Sequence, residues 1–225
     1  SLDDFPDWRK YEPSMIGSSD LVLTTSQVLF EKRKQEHPHV FLVRNGCCRS
    51  VIGTTYNRPR ELAGLKGPIV GFVGALGSWV DTELLEVIAS QFTLVVIGPE
   101  FGKRAPRGSI YLGIKKYDEL FSYYRYIDVG VIPFIDCDIS RAANPIKMYE
   151  YLSAGKPVVS MNIPECNQYP GVVFNSETPD RFMSDLYKVV DMNVYDEAIK
   201  IARENTWERR YDSIIEHIKN TVGGI

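Results

Sequence analysis

Several short apolar runs in this chain lack the polar alternation of a half-exposed strand, and that absence constrains the fold more than any single motif. They read IVGFV at 69–73, FTLVVI at 92–97, DVGVIP at 128–133 and VV at 158–159. Strands buried on both faces have this pattern, as in a parallel sheet covered by helices. The segments between them agree. Residues 81–90 are amphipathic, and 117–126 form an aromatic-rich helical stretch. A last strand is expected at 171–174, and helices at 179–190, 196–204 and 206–219, the last capped by Thr206. The expected fold class is α/β, a Rossmann-like parallel sheet covered by helices.

The 225 residues suffice for a core without metal or disulfide staples. A net charge of -3 argues against a general nucleic-acid binder, so no nucleic-acid partner is expected. Cys47, Cys48, Cys137 and Cys166 form no CxxC pair, so no zinc site is expected. They read as reduced thiols in an intracellular protein. The chain has no run of 18 apolar residues and no signal peptide. The opening SLDDFPDWRKYEP does not begin like a complete Rossmann domain, and Ser1 is not an initiator methionine. The chain is expected to be processed, or cut from a longer protein.

Before the apolar runs, residues 8–16 read as a short helix and LVLTT at 21–25 as a strand. A charged helix follows at 27–36 with Ser26 as its cap, then a strand at 40–43 closed by Asn45-Gly46. This βαβ fragment is too small to carry a core alone. Residues 47–67 have little periodicity and read as a linker with one helical turn.

The densest chemistry lies in DISRAANPIKMYEYLSAGKPVVS, 138–160. It reads as loop, helix start, short helix, tight turn and strand. Asn144 is expected as N-cap and Pro145 as first helical residue. Gly155 ends the helix. Lys147 and Glu150, three apart, share one face. A helix N-terminus beside Arg141 and Lys147 can hold phosphate, and Glu150 can accept hydrogen bonds from hydroxyls. In a parallel sheet the ligand lies beyond the carboxyl ends of the strands. The loops at Gly74, Gly98, Gly113, 133–144 and 160–165 leave that edge. A nucleotide or nucleotide sugar would account for the cations and the acid together. By position alone, Glu150, Lys147 and Arg141 could each also be a solvated surface residue.

Other candidates are weaker. VGFVGALGSWVD at 70–81 lacks dinucleotide-fingerprint spacing and a Walker lysine. Its Gly74 would either let a diphosphate approach the backbone or simply make the turn. Asp136 and Asp138 read as a solvated loop. Tyr123, Tyr124 and Tyr126 read as packing residues. His37, His39 and His217 lie far from the motif, and no Ser-His-Asp arrangement can be argued.

Residues 144–159 resemble the donor-binding motif of retaining glycosyltransferases of family 4, which have the two-domain GT-B fold. A bacterial subgroup pairs a phrase like YYGAxxxWFD with one like TRATNPxKLYEYLAAGKPVV. The chain has FVGALGSWVD at 72–81 and SRAANPIKMYEYLSAGKPVV at 140–159. LVVIGP at 94–99, YLG at 111–113, DVGVIPF at 128–134 and ARENTWERR at 202–210 extend the likeness. DLVLTTSQVL at 20–29 and VFLVRNG at 40–46 resemble the end of the family's first domain and the interdomain connection.

The resemblance implies the C-terminal half of a GT-B fold plus the tail of the N-terminal domain. Residues 1–46 would be that tail and the connection, 47–67 a linker, and 68–205 the nucleotide-sugar-binding domain. Residues 206–225 would form a helix crossing back toward the first domain. Glu150 matches the second glutamate of the E-x7-E motif, which binds the nucleotide ribose, while Ala142 stands where the first is usual. The loop 76–80 lacks the family's cations. Neutralising the diphosphate then falls to Arg141, Lys147 and backbone amides, or to Lys103, Arg104 or Arg107.

The implied function is binding of a nucleotide-diphosphate sugar for retaining transfer to a glycan or lipid-linked acceptor. No cofactor or metal is implied. The N-terminal domain carries the acceptor side and a frequent catalytic histidine, so no catalytic residue is assigned and this chain alone is expected to transfer little. The full-length protein is expected in the cytoplasm, peripheral at the inner membrane face. The competing reading is a non-catalytic assembly domain with a degenerate nucleotide site. An NAD-dependent Rossmann enzyme fits poorly, because the first glycine loop has the wrong spacing.

Overall fold

The structure is a computed structural model that describes residues 7–223. Residues 1–6 of the atypical opening, and residues 224–225 at the end of the helix expected over 206–225, lie outside the described residues.

The described chain opens with α1 (Asp7–Gly17), β1 (Val22–Thr24), α2 (Gln27–Arg33) and β2 (Val40–Leu42). β1 and β2 pair in parallel as a separate two-stranded sheet. Ser26 caps α2 by accepting from the Leu29 N–H. Then come β3 (Ile69–Val73), α3 (Thr82–Gln91), β4 (Thr93–Ile97), β5 (Ile110–Tyr111), α4 (Tyr117–Tyr126) and β6 (Val129–Ile132). They are followed by α5 (Asp138–Ala142), α6 (Ile146–Ser153), β7 (Val158–Met161), β8 (Val173–Ser176), α7 (Pro179–Val189), α8 (Tyr195–Glu204) and α9 (Trp207–Val222).

β3 to β8 form one parallel sheet in the order β5-β4-β3-β6-β7-β8. Both faces are covered, which is why the strands carry no polar alternation. Ile69, Val95, Ile132 and Val158 pack with Phe121, Tyr124, Leu152 and Ala198, from α4, α6 and α8. Val70, Leu94, Val131 and Val159 pack on the opposite face with Leu84, Leu85, Phe182 and Leu186, from α3 and α7.

The chain leaves β3 toward β4 and leaves β6 toward β7, so the sheet changes direction between β3 and β6. That switch point is where such sheets form a ligand crevice. β3 and β6 pair only at Val70–Val129 and Gly71–Gly130. Past that register the Tyr151 hydroxyl donates to Gly71 O at 2.8 Å and accepts from Val73 N–H at 3.0 Å. Gly130 makes room for this crossing: a Cβ there would lie 2.3 Å from the Tyr151 ring.

Residues 47–67 are irregular, with two 3-10 turns at Arg49–Val51 and Arg60–Leu62. They are nonetheless packed. Cys47 and Leu62 are fully buried, and Gly53 N–H donates to Ser153 O. Cys47 also forms a parallel bridge with Thr206. α9 is capped by Thr206, which accepts from Arg209 N–H. It reaches back to the opening segment, stacking His217 on Phe41 at 4.0 Å and placing Arg210 Nε 3.2 Å from Asn45 O.

Two local expectations need correction. Residues 138–142 are the short helix α5 rather than loop. Ser140 supports it, accepting from Cys137 N–H and donating to Ile135 O. Asn144 does not cap α6, which begins at Ile146 with Pro145 in the cap position. The Asn144 amide is turned to another part of the chain, where better-placed partners hold it.

Candidate functional site

The switch point between β3 and β6 is framed first by the loop after β3. Leu76 bridges to Glu100 on one side, and Val80 bridges antiparallel to Phe134 on the other. Asp81 N–H donates to Pro133 O at 2.8 Å, and Ile135 N–H to Trp79 O at 2.9 Å. The loop is therefore tied to the exits of both neighbouring strands. Gly74 sits half-buried at its start, with its N–H on Ile97 O at 2.9 Å. A Cβ at Gly74 would only touch Phe72, at 3.5 Å. The steric demand for glycine falls on Gly98 instead: at φ +141, its Cβ would lie 2.0 Å from Gly74 O.

α6 rises behind the crevice and brings Lys147 and Glu150 together. Glu150 is 1% exposed. Its Oε2 lies 2.7 Å from Lys147 Nζ and accepts from the Tyr124 hydroxyl, also at 2.7 Å. Lys147 Nζ closes the triangle by donating to the Tyr124 oxygen at 3.2 Å. Glu150 Oε1 is sealed from solvent and has no partner among the described residues. Burial first, then the Glu150 charge, raise the Tyr124 phenol well above its ordinary range, so the hydroxyl stays protonated and donates. Tyr117, about two turns before Tyr124 on the same face of α4, is 53% exposed. Burial first, then the charge of Glu150 and the approach of its carboxylate to the Tyr117 hydroxyl, also raise it, although the two groups do not meet hydrogen-bond geometry.

The remaining sequence-selected residues are placed nearby with other partners. Arg141 is exposed and grips Asp136 through Nε and Nη2, at 2.7 and 2.8 Å, with Asp138 at 3.5 Å. Asp136 and Asp138 are exposed, as expected, but they take up the Arg141 charge. The fallback cations are also engaged. Lys103 donates to Val80 O, Arg104 pairs with Glu100, and Arg107 pairs with Glu86. Pro145 is buried at the start of α6.

Asn144 is buried too. Its Oδ1 accepts from Asn45 N–H at 2.8 Å, and its Nδ2 donates to Glu165 at 3.0 Å and to the Tyr149 hydroxyl at 3.2 Å. Glu165, 3% exposed, is a residue that sequence reasoning missed. It accepts from Gln27 N–H, Arg44 Nε, Asn144 Nδ2 and Gln168 Nε2. The start of α6 is thereby tied to the start of α2 and to the connection after β2. Tyr124 was also missed as a polar partner: its place on an aromatic helix signals burial, but nothing in the sequence signals where its hydroxyl points.

Comparison with known proteins addresses the family. A model of the family described as glycosyl transferases group 1 matches residues 67–191, more than half of the chain. The chain belongs to the group 1 glycosyltransferases. This is a GT-B type family, and the parallel sheet flanked by helices matches its structures.

One relative of this group 1 glycosyltransferase chain is TuaH of Bacillus subtilis (strain 168), described by name as a teichuronic acid biosynthesis glycosyltransferase. It is 27% identical over 233 residues. The match takes in 92% of the chain but 58% of TuaH, so the chain spans little more than half the length of this relative. A glycosyltransferase from Rickettsia africae ESF-5 superposes with a TM-score of 0.73 at 12% identity, over 97% of the chain and 68% of that structure. HepE from Anabaena, in a structure with UDP and glucose, superposes with a TM-score of 0.67 at 15% identity, over 89% of the chain and 63% of that structure.

Proposed function

We propose that this chain binds the nucleoside-diphosphate part of a sugar donor at the β3–β6 crevice. The protein to which it belongs would transfer the sugar, with retained configuration, to a glycan or lipid-linked acceptor, as a family 4 enzyme. One observation carries this reading: the sealed carboxylate of Glu150 near the switch point, whose Oε1 has no partner among the described residues. An unpaired buried carboxylate oxygen is costly, and the two hydroxyls of a ribose supply the donors it lacks. Lys147 and Tyr117 are the partly exposed side chains beside Glu150, and one of them moves aside to admit the ribose. Lys147, freed in part from Glu150, then helps the first-turn amides of α6 balance the diphosphate without a metal ion. The UDP and glucose in the HepE structure support a nucleotide-sugar reading.

Residues 68–205 are the donor-binding unit in this proposal, with Gly74, Arg141, Asn144, Pro145, Lys147 and Glu150 around the donor. Residues 1–46, the linker 47–67 and the helix from Thr206 connect it to an N-terminal domain that supplies the acceptor wall. The chain by itself transfers little. The full-length protein works in the cytoplasm at the inner membrane face, where lipid-linked acceptors are presented.

Calorimetry with UDP, GDP and ADP tests donor binding. The native chain is expected to bind at least one of them. Lys147→Ala and Glu150→Ala are each expected to weaken that binding by roughly tenfold or more. Equal affinity in all three proteins sinks both residue roles. A second reading, a non-catalytic assembly domain, is favoured by the neutralised Arg141, by Ala142 and by the cation-free loop 76–80. Failure of every nucleoside diphosphate to bind, in the full-length protein as well, would select it.

A further inference from the structure

We infer that Tyr124 is a positioning residue that sets the selectivity of the site for ribose over deoxyribose, by fixing one oxygen of Glu150 so that the other is left for the ligand. The inference rests on the donor-site reading above and adds a residue from a different element. The geometry is a closed triangle. Tyr124 donates to Glu150 Oε2 at 2.7 Å and accepts from Lys147 at 3.2 Å, while Lys147 reaches the same Oε2 at 2.7 Å. Two donors therefore converge on Oε2 and none on Oε1 among the described residues. A carboxylate whose bonds were shared between its oxygens would have no fixed face to offer.

Lys147 alone could not hold this arrangement. Its side chain is 31% exposed, and its ammonium is drawn to any phosphate that enters. Tyr124 is fully buried, with its ring edge-on to Phe121 at 5.8 Å and to Tyr151 at 5.2 Å. It is anchored by packing that ligand entry does not disturb. When Lys147 turns to the diphosphate, the Tyr124 hydroxyl still holds Oε2. A protonated hydroxyl with one O–H has no second donor to send to Oε1.

The test compares each nucleoside diphosphate with its 2′-deoxy form by calorimetry: UDP with dUDP, GDP with dGDP, ADP with dADP. The native chain should prefer the ribo form of the pair it binds. Tyr124→Phe keeps the ring and its packing, and should lose roughly three- to tenfold affinity for the ribo form and less for the deoxy form, which brings only its 3′-hydroxyl to Oε1. The ratio moves toward one. Misfolding would weaken both probes alike, so the ratio separates positioning from stability. Tyr124→4-aminophenylalanine restores a donor and should restore the ratio. Tyr126→Phe, on the same helix as Tyr124, removes a hydroxyl bond to Tyr56 O in the 47–67 segment, and should leave the ratio native. A native ratio in Tyr124→Phe overturns the inference and leaves the donor reading standing. If the native chain binds no nucleoside diphosphate, both fall together.

Discussion

The Tyr151 hydroxyl does for β3 what a neighbouring strand would do if β6 continued alongside it. It satisfies Gly71 O and Val73 N–H where the two strands part, and Gly130 gives up its side chain to let the ring cross. Tyr151→Phe should leave both backbone groups unpaired in a dry interior. The expected cost is about 1–3 kcal/mol, read from urea unfolding. An unchanged midpoint and slope would show that the bonds are not needed. Single residues of this kind were only half legible. Glu150 stood out in sequence because it is an acid on the face of a phosphate-binding helix. The hydroxyls of Tyr124 and Tyr151 did not, because a buried tyrosine looks the same whether its oxygen meets a backbone group or a carboxylate. Within the protein, the close approach that demands glycine lies at Gly98, where β4 ends, and the sequence does not signal it.

Elements were more legible than the bonds between them. The strands and helices from Ile69 onward follow from apolar runs and their punctuation, and α4 begins and ends where its periodicity does. α5 was missed because five residues give no period to read, and Ser140 holds them by bonds to Cys137 and Ile135. The capping expectation for Asn144 failed because a cap is a local rule and a distant segment offered a better fit. Its partner Glu165 binds the start of α2 through Gln27 N–H at 2.7 Å and the connection through Arg44 at 2.7 Å. Glu165→Ala should strand the Arg44 and Asn144 donors and free the start of α2. The expected loss is about 3 kcal/mol or more, since one partner of a buried ion pair is removed. Amide exchange should then quicken first at Gln27 and the early turns of α2. Native protection there would mean that β1, β2 and α9 hold the opening segment without it.

At the scale of the molecule, the parallel sheet was readable because burial on both faces leaves an unmistakable apolar pattern. Its position relative to the opening segment was not, because Cys47–Thr206 and Phe41–His217 join residues more than 150 positions apart. The crevice location followed from strand order alone, which places the switch point between β3 and β6. What the crevice holds is the central claim. A crystal structure of the chain with its tightest-binding nucleoside diphosphate tests it most directly. The account expects a ribose hydroxyl within hydrogen-bond distance of Glu150 Oε1, with Tyr124 still on Oε2. A nucleotide bound elsewhere, or bound in the crevice with Oε1 still unpaired, would contradict it.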